Sequence, residues 1–125
     1  MTNQEALNLA REWIAAWNSH DLERILSHYT DDVEMSSPYI PEIAAEPSGT
    51  LRGKAKLGAY WKKGLQQHPG LHFELVTILC GVDSLALYYR NHAGRMVAEV
   101  LSVDGNGRVF RGHAHYAIDA NAQAQ

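Results

Sequence analysis

The sequence predicts an α+β domain in which helices come first and a strand meander follows. Apolar residues recur at helical spacing through the N-terminal third. After Pro69-Gly70 the chain changes to runs rich in apolar, β-branched and aromatic residues, and short turn signals separate those runs. A chain of 125 residues that is 46% hydrophobic can bury one core, so a single domain over 1–125 is expected. It contains no internal repeat and no low-complexity segment.

Thr2 with Glu5 fits a capping box, each side chain satisfying a free backbone N–H at a helix start. Leu7, Ala10, Ile14 and Trp17 then recur at helical spacing, with Leu9 and Trp13 beside them. Asn18-Ser19-His20 breaks this helix. Ser19 or Asp21 starts the next, which offers Leu22, Ile25, Leu26 and Tyr29 to the core and ends at Thr30-Asp31-Asp32. A short strand over 33–37 follows. Residues 38–52 hold Pro38, Pro41, Pro47 and Gly49, which predicts an irregular loop, neither a regular helix nor an inner strand. A long loop of this kind in a small domain is a functional candidate, here a lid. A third helix over 53–68 carries the stripe Leu57, Tyr60, Trp61 and Leu65 and stops at Pro69-Gly70. Strands are expected at 71–80, 84–91, 96–104 and 109–118, joined by tight turns and therefore antiparallel. A curved antiparallel sheet wrapped around three N-terminal helices satisfies this order.

The last turn sets a register. With 104–107 as the loop, Val97, Glu99, Leu101, Phe110, Gly112, Ala114 and Tyr116 share one face, and Ala98, Val100, Ser102, Arg111, His113 and His115 share the other. An even-length loop at 91–94 adds Ala86, Tyr88 and Arg90 to the first face. That face reads as the concave, helix-covered one. The second suits a dimer interface better than open solvent.

Charge and composition exclude several functions. A net charge of −3 leaves no electrostatic footprint for nucleic acid. No apolar run is long enough to span a membrane, and the polar start MTNQEALNLAREW lacks the order of a signal peptide. A single cysteine, Cys80, excludes an internal disulfide, and a cytoplasmic location is expected. No metal constellation and no dinucleotide fingerprint is evident, so no cofactor is expected.

The segments AAWNSHDLERILSHYTDDVEM, SGTLRGKAKLGAYW and YYRNHAGRMVAEVLSVDGNGRVFRGHAHY resemble the nuclear-transport-factor-2-like superfamily, and within it the SnoaL-like (polyketide-cyclase-like) proteins. The resemblance covers most of the chain. It implies a cone-shaped, cystatin-like α+β domain with a deep apolar pocket and often a homodimer packed through the sheet. It does not choose among isomerase, cyclase, epoxide hydrolase, dehydratase or non-catalytic binder. The more distant similarity to ketosteroid isomerases places Trp13 where that family has a helical tyrosine, Ser37 where it has the carboxylate base, and Glu99 at its strand acid, which is held neutral by an apolar site. Only the last keeps its chemistry, so isomerisation by that mechanism is excluded. Trp13 retains an N–H to donate.

Glu99 is therefore the leading acid/base, with Tyr88 or Arg90 orienting it. Its placement among apolar neighbours demands either a raised pKa or a partner. A structural Glu99–Arg90 ion pair is the competing reading. Trp13, Trp17, Tyr29, Tyr60, Trp61, Phe73 and Tyr116 are too many large rings for one small core, so some of them should line a ligand cavity. Met35, Ser37 and Tyr39 fall at its rim. His113 and His115 share a face, but no third metal ligand is evident, and a dimer interface that includes Val100 suits them better. His28, His68 and His72 read as solvated, Asp31-Asp32 as turn residues and Gly105-Asn106-Gly107 as a turn. The expected partner is a small apolar, cyclic molecule bearing one carbonyl or hydroxyl. Two readings stay open: a cofactor-independent proton-transfer enzyme, or a non-catalytic dimeric binder or structural domain.

Overall fold

The computed structural model describes residues 1–118. Helix α1, Asn3–Ser19, begins where the Thr2 hydroxyl accepts the Glu5 N–H at 3.0 Å. It ends at His20, which adopts a left-handed conformation at φ 59. Ala6, Ala10, Trp13 and Trp17 form its buried stripe. Asp21 caps α2, Leu22–Leu26, through the Arg24 N–H.

Strand β1 spans Tyr29–Ser36, so Tyr29 and Thr30-Asp31-Asp32 belong to a strand and not to the end of the second helix. The reason is non-local. The Val109 N–H donates to the His28 carbonyl at 2.8 Å, which draws the chain into parallel pairing with β6 immediately after the short helix. The proline-rich segment is more regular than expected. It forms a short helix α3, Ile40–Ile43, with proline in its first turn, and an edge strand β2, Thr50–Arg52, antiparallel to β1. Helix α4, Lys54–Gln67, then crosses β1.

Strands β3, Glu74–Cys80, β4, Ser84–Arg90, β5, Met96–Val103, and β6, Val109–Tyr116, form the expected antiparallel meander. The full strand order is β2-β1-β6-β5-β4-β3, and the β1–β6 pair is parallel, a departure from the all-antiparallel expectation. Helices pack on one face of this curved, unclosed sheet.

Two register details decide the site. Between β5 and β6, Val103 pairs with Val109, but Ser102 pairs with Arg111. Phe110 is thus the extra residue of a bulge and is 37% exposed, not on the inner face as expected. Beyond the bulge, Val97, Glu99 and Leu101 oppose Tyr116, Ala114 and Gly112, so these six share the inner face as predicted. A Cβ on Gly112 would lie 2.5 Å from Met35 Sδ, which explains the glycine there.

The β4–β5 loop overturns the other assignment. Arg90 pairs with Met96, so the loop is 91–95 and odd in length. Asn91 holds that shape: its N–H donates to the Arg95 carbonyl, and its Oδ1 accepts the Ala93 and Arg95 N–H groups. The shift by one residue turns Leu85, Leu87 and Tyr89 inward and puts Ala86, Tyr88 and Arg90 on the outer face. Among the described residues, no helix is long and apolar enough to cross a membrane.

Candidate functional site

Between α1, α4 and the inner sheet face lies a cavity of about 290 Å³. Its size and composition suit a small ligand: mostly aromatic and aliphatic wall with a few polar groups. Trp13 and Trp17, four residues apart on α1, present adjacent rings 6.0 Å apart. Trp17 meets Trp61 of α4 edge-on at 5.0 Å, and Phe73 lies 4.5 Å from Tyr89 of β4. Met35, Ser37 and Tyr39, where β1 runs into the proline-rich segment, also line the cavity, as do Tyr60 and Tyr116. Arg95 donates to the Tyr39 hydroxyl at 2.6 Å and lies 5.3 Å from the Tyr116 ring centroid. The β4–β5 loop thereby holds the proline-rich segment against the end of the sheet.

Among the described residues Glu99 is the one carboxyl group lining this cavity, and it is buried. Its Oε1 accepts the Tyr89 hydroxyl at 3.0 Å, and its Oε2 has no partner among the described residues. Burial pushes its pKa up to about 7, only partly opposed by the Tyr89 hydrogen bond. Burial, followed by the field of Glu99, also raises Tyr89 and Tyr116, and burial raises Tyr60.

Of the expected site residues, Trp13, Trp17, Met35, Ser37, Tyr39, Tyr60, Trp61, Phe73, Tyr116 and Glu99 come together around the cavity. Tyr29 does not. It lies fully buried behind the wall, and its hydroxyl accepts the Trp13 Nε1–H at 2.8 Å. That bond also uses the N–H that Trp13 was expected to offer a ligand. Tyr88 and Arg90 are exposed on the outer face, so neither orients Glu99 and the Glu99–Arg90 pair does not form. The side chain that hydrogen-bonds Glu99 is instead Tyr89.

Sequence reasoning missed Tyr89, whose only signal was the parity of a loop. It also missed the rim residues His68, Asn91 and His92, because their meeting depends on the β4–β5 loop reaching the end of α4. The rings of His68 and His92 lie 5.1 Å apart, and burial and then His68 lower the His92 pKa. His68 is exposed, as expected, and also stands at the cavity rim. His28 has a partner, Glu12, at 2.9 Å. No cluster of three metal-ligating side chains occurs among the described residues.

The family model of the SnoaL-like domain matches residues 10–123. This chain belongs to the SnoaL-like family. A SnoaL-like protein of unknown function from Burkholderia thailandensis is 53% identical, with a TM-score of 0.90 over 94% of this chain and 98% of that one. A protein of unknown function with cystatin-like fold from Methylobium petroleophilum is 15% identical, with a TM-score of 0.75 over 95% and 80%. A protein from Agrobacterium tumefaciens, named as a candidate isomerase of the SnoaL-like family, is 19% identical, with a TM-score of 0.73 over 92% and 99%. The last two show the fold alone, which for this SnoaL-like chain is the cystatin-like, nuclear-transport-factor-2-like one. No curated protein matches the chain.

Proposed function

We propose that this SnoaL-like protein binds a small apolar, cyclic molecule in its cavity and moves a proton on it through Glu99. The observation that carries this reading is the buried Glu99 carboxyl, on an aromatic wall, with one oxygen unpartnered among the described residues and a pKa raised to about 7. A group that changes protonation near neutral pH serves as either acid or base without a large energetic penalty. A carbonyl or hydroxyl meeting Oε2 receives or gives that proton, while Tyr89 holds Oε1. Isomerisation, dehydration, cyclisation and epoxide opening all need such a step.

Native mass spectrometry followed by a denatured extract is the test of ligand binding, with a co-purifying apolar molecule expected. Glu99→Gln then separates chemistry from binding. Its proton-transfer rate on that molecule is expected to fall at least about 100-fold with the ligand still bound. Retained turnover would remove Glu99 from the chemistry, and binding with no turnover in wild type would favour the non-catalytic binder.

The same proposal includes a homodimer through the outer sheet face. Val100 and His113 lie opposite each other there, Ala98 opposes His115, and Tyr88 and Leu79 of the same face are 39% and 64% exposed. Covering such a surface removes apolar area from water. Sedimentation of the purified chain is expected to give twice the monomer mass, and a monomer at all concentrations would dismiss this interface.

A further inference from the structure

Trp13 and Trp17 stand on one face of α1, yet their indole nitrogens differ. Trp13 Nε1 donates to the Tyr29 hydroxyl. Trp17 Nε1 is buried and has no acceptor among the described residues. The Trp17 ring is held by Trp61 at 5.0 Å and Phe73 at 5.7 Å, so packing keeps it from swinging out to water. A buried donor left unpaired is costly, and natural proteins leave few. Among the described residues, the buried side-chain polar atoms without a partner are Trp17 Nε1 and Glu99 Oε2, and both residues line the same cavity.

We propose that Trp17 is a specificity-determining anchor: its N–H donates to one acceptor oxygen of the ligand while the protonated Glu99 carboxyl donates from Oε2 to another, so the cavity prefers apolar molecules with two acceptor oxygens. This rests on reading the cavity as a ligand site. Tyr29 has already occupied the equivalent donor of Trp13, which leaves Trp17 to make the distinction.

The test uses methyl naphthyl ketones that carry a methoxy group, or an ethyl group of matching shape, at each open position of the distal ring. At one position the methoxy compound is expected to bind about tenfold tighter than its ethyl counterpart. Trp17→Phe should bring that ratio close to one, whatever the smaller ring does to the affinity of both compounds alike. In wild-type protein the tighter compound should move the Trp17 indole N–H resonance downfield, a readout that does not require the variant to fold. Equal binding of methoxy and ethyl compounds at every position, with no Trp17 shift, overturns the anchor and leaves the ligand-site reading standing. Failure of every ketone to bind overturns the ligand-site reading, and the anchor with it.

Discussion

Glu12 and Glu99 are the same side chain in opposite surroundings. Glu12 lies on the outer flank of α1, 40% exposed, and accepts from Arg24 at 2.7 and 3.1 Å and from His28 at 2.9 Å. The Arg24 hydrogen bond, with smaller help from His28, holds its pKa down to about 2. Glu99 is buried on the cavity wall with a single phenol for company, and burial raises it to about 7. One carboxylate is fully committed to its neighbours and stays charged. The other is left able to change state near neutral pH. The difference teaches that full pairing gives a structural charge, whereas burial with one free oxygen gives a group suited to chemistry.

The largest expected effect is on stability against pH. A raised carboxyl contributes stability that is fully present below its unfolded value of 4.5 and is lost as pH rises through about 7. Glu99→Gln removes that loss, so at pH 8 the variant should be more stable than wild type by roughly 3 kcal/mol, and near pH 4 the two should converge. Urea unfolding at both pH values measures this, and equal wild-type stability across the range would mean that Glu99 ionises without penalty.

A smaller effect is expected from Tyr89→Phe, which removes the donor to Oε1. The variant should lose about 1 kcal/mol at pH values where Glu99 is ionised. The Glu99 pKa should rise further, because the lost bond favoured the charged form. A carboxyl-carbon NMR titration reads the shift, and a fall instead would show that Tyr89 is not its donor.

The smallest effect belongs to Glu12→Gln, at a few tenths to about 1 kcal/mol, since Glu12 and Arg24 are each 40% exposed. Its sign is opposite to that of Glu99. Glu12 contributes stability above its unfolded value of 4.5 and loses it as pH falls through about 2. High salt should erase the Glu12 effect and leave the Glu99 effect largely intact, because Glu12 is 40% exposed whereas Glu99 is buried. Equal salt sensitivity would break the contrast between the two.

Much of the fold was legible in local pattern. The helical spacing of Ala10, Trp13 and Trp17, the Thr2 cap and the alternation along β5 each follow from neighbours in sequence. The shorter second helix was not legible, because β1 takes Tyr29 through pairing with a segment 80 residues away, Tyr29 opposite Val109. The proline-rich segment hid a helical turn and an edge strand, since proline is allowed in a helix's first turn and β2 gains its pairing only from β1. Most cavity-lining rings were nameable because excess aromatic area has to go somewhere, but which ring stood behind the wall was not.

The sequence alone determined that Glu99 faces inward among apolar side chains, because every second residue of β5 points the same way and its inner neighbours Val97 and Leu101 are apolar. Only the tertiary structure decided what that carboxyl meets. The Asn91 hydrogen bonds lengthen one loop by a residue, and with a period of two that single residue exchanges Tyr88 and Arg90 for Tyr89. A charged partner would have made Glu99 a structural ion. A phenol leaves it a buried acid with one oxygen unpartnered among the described residues.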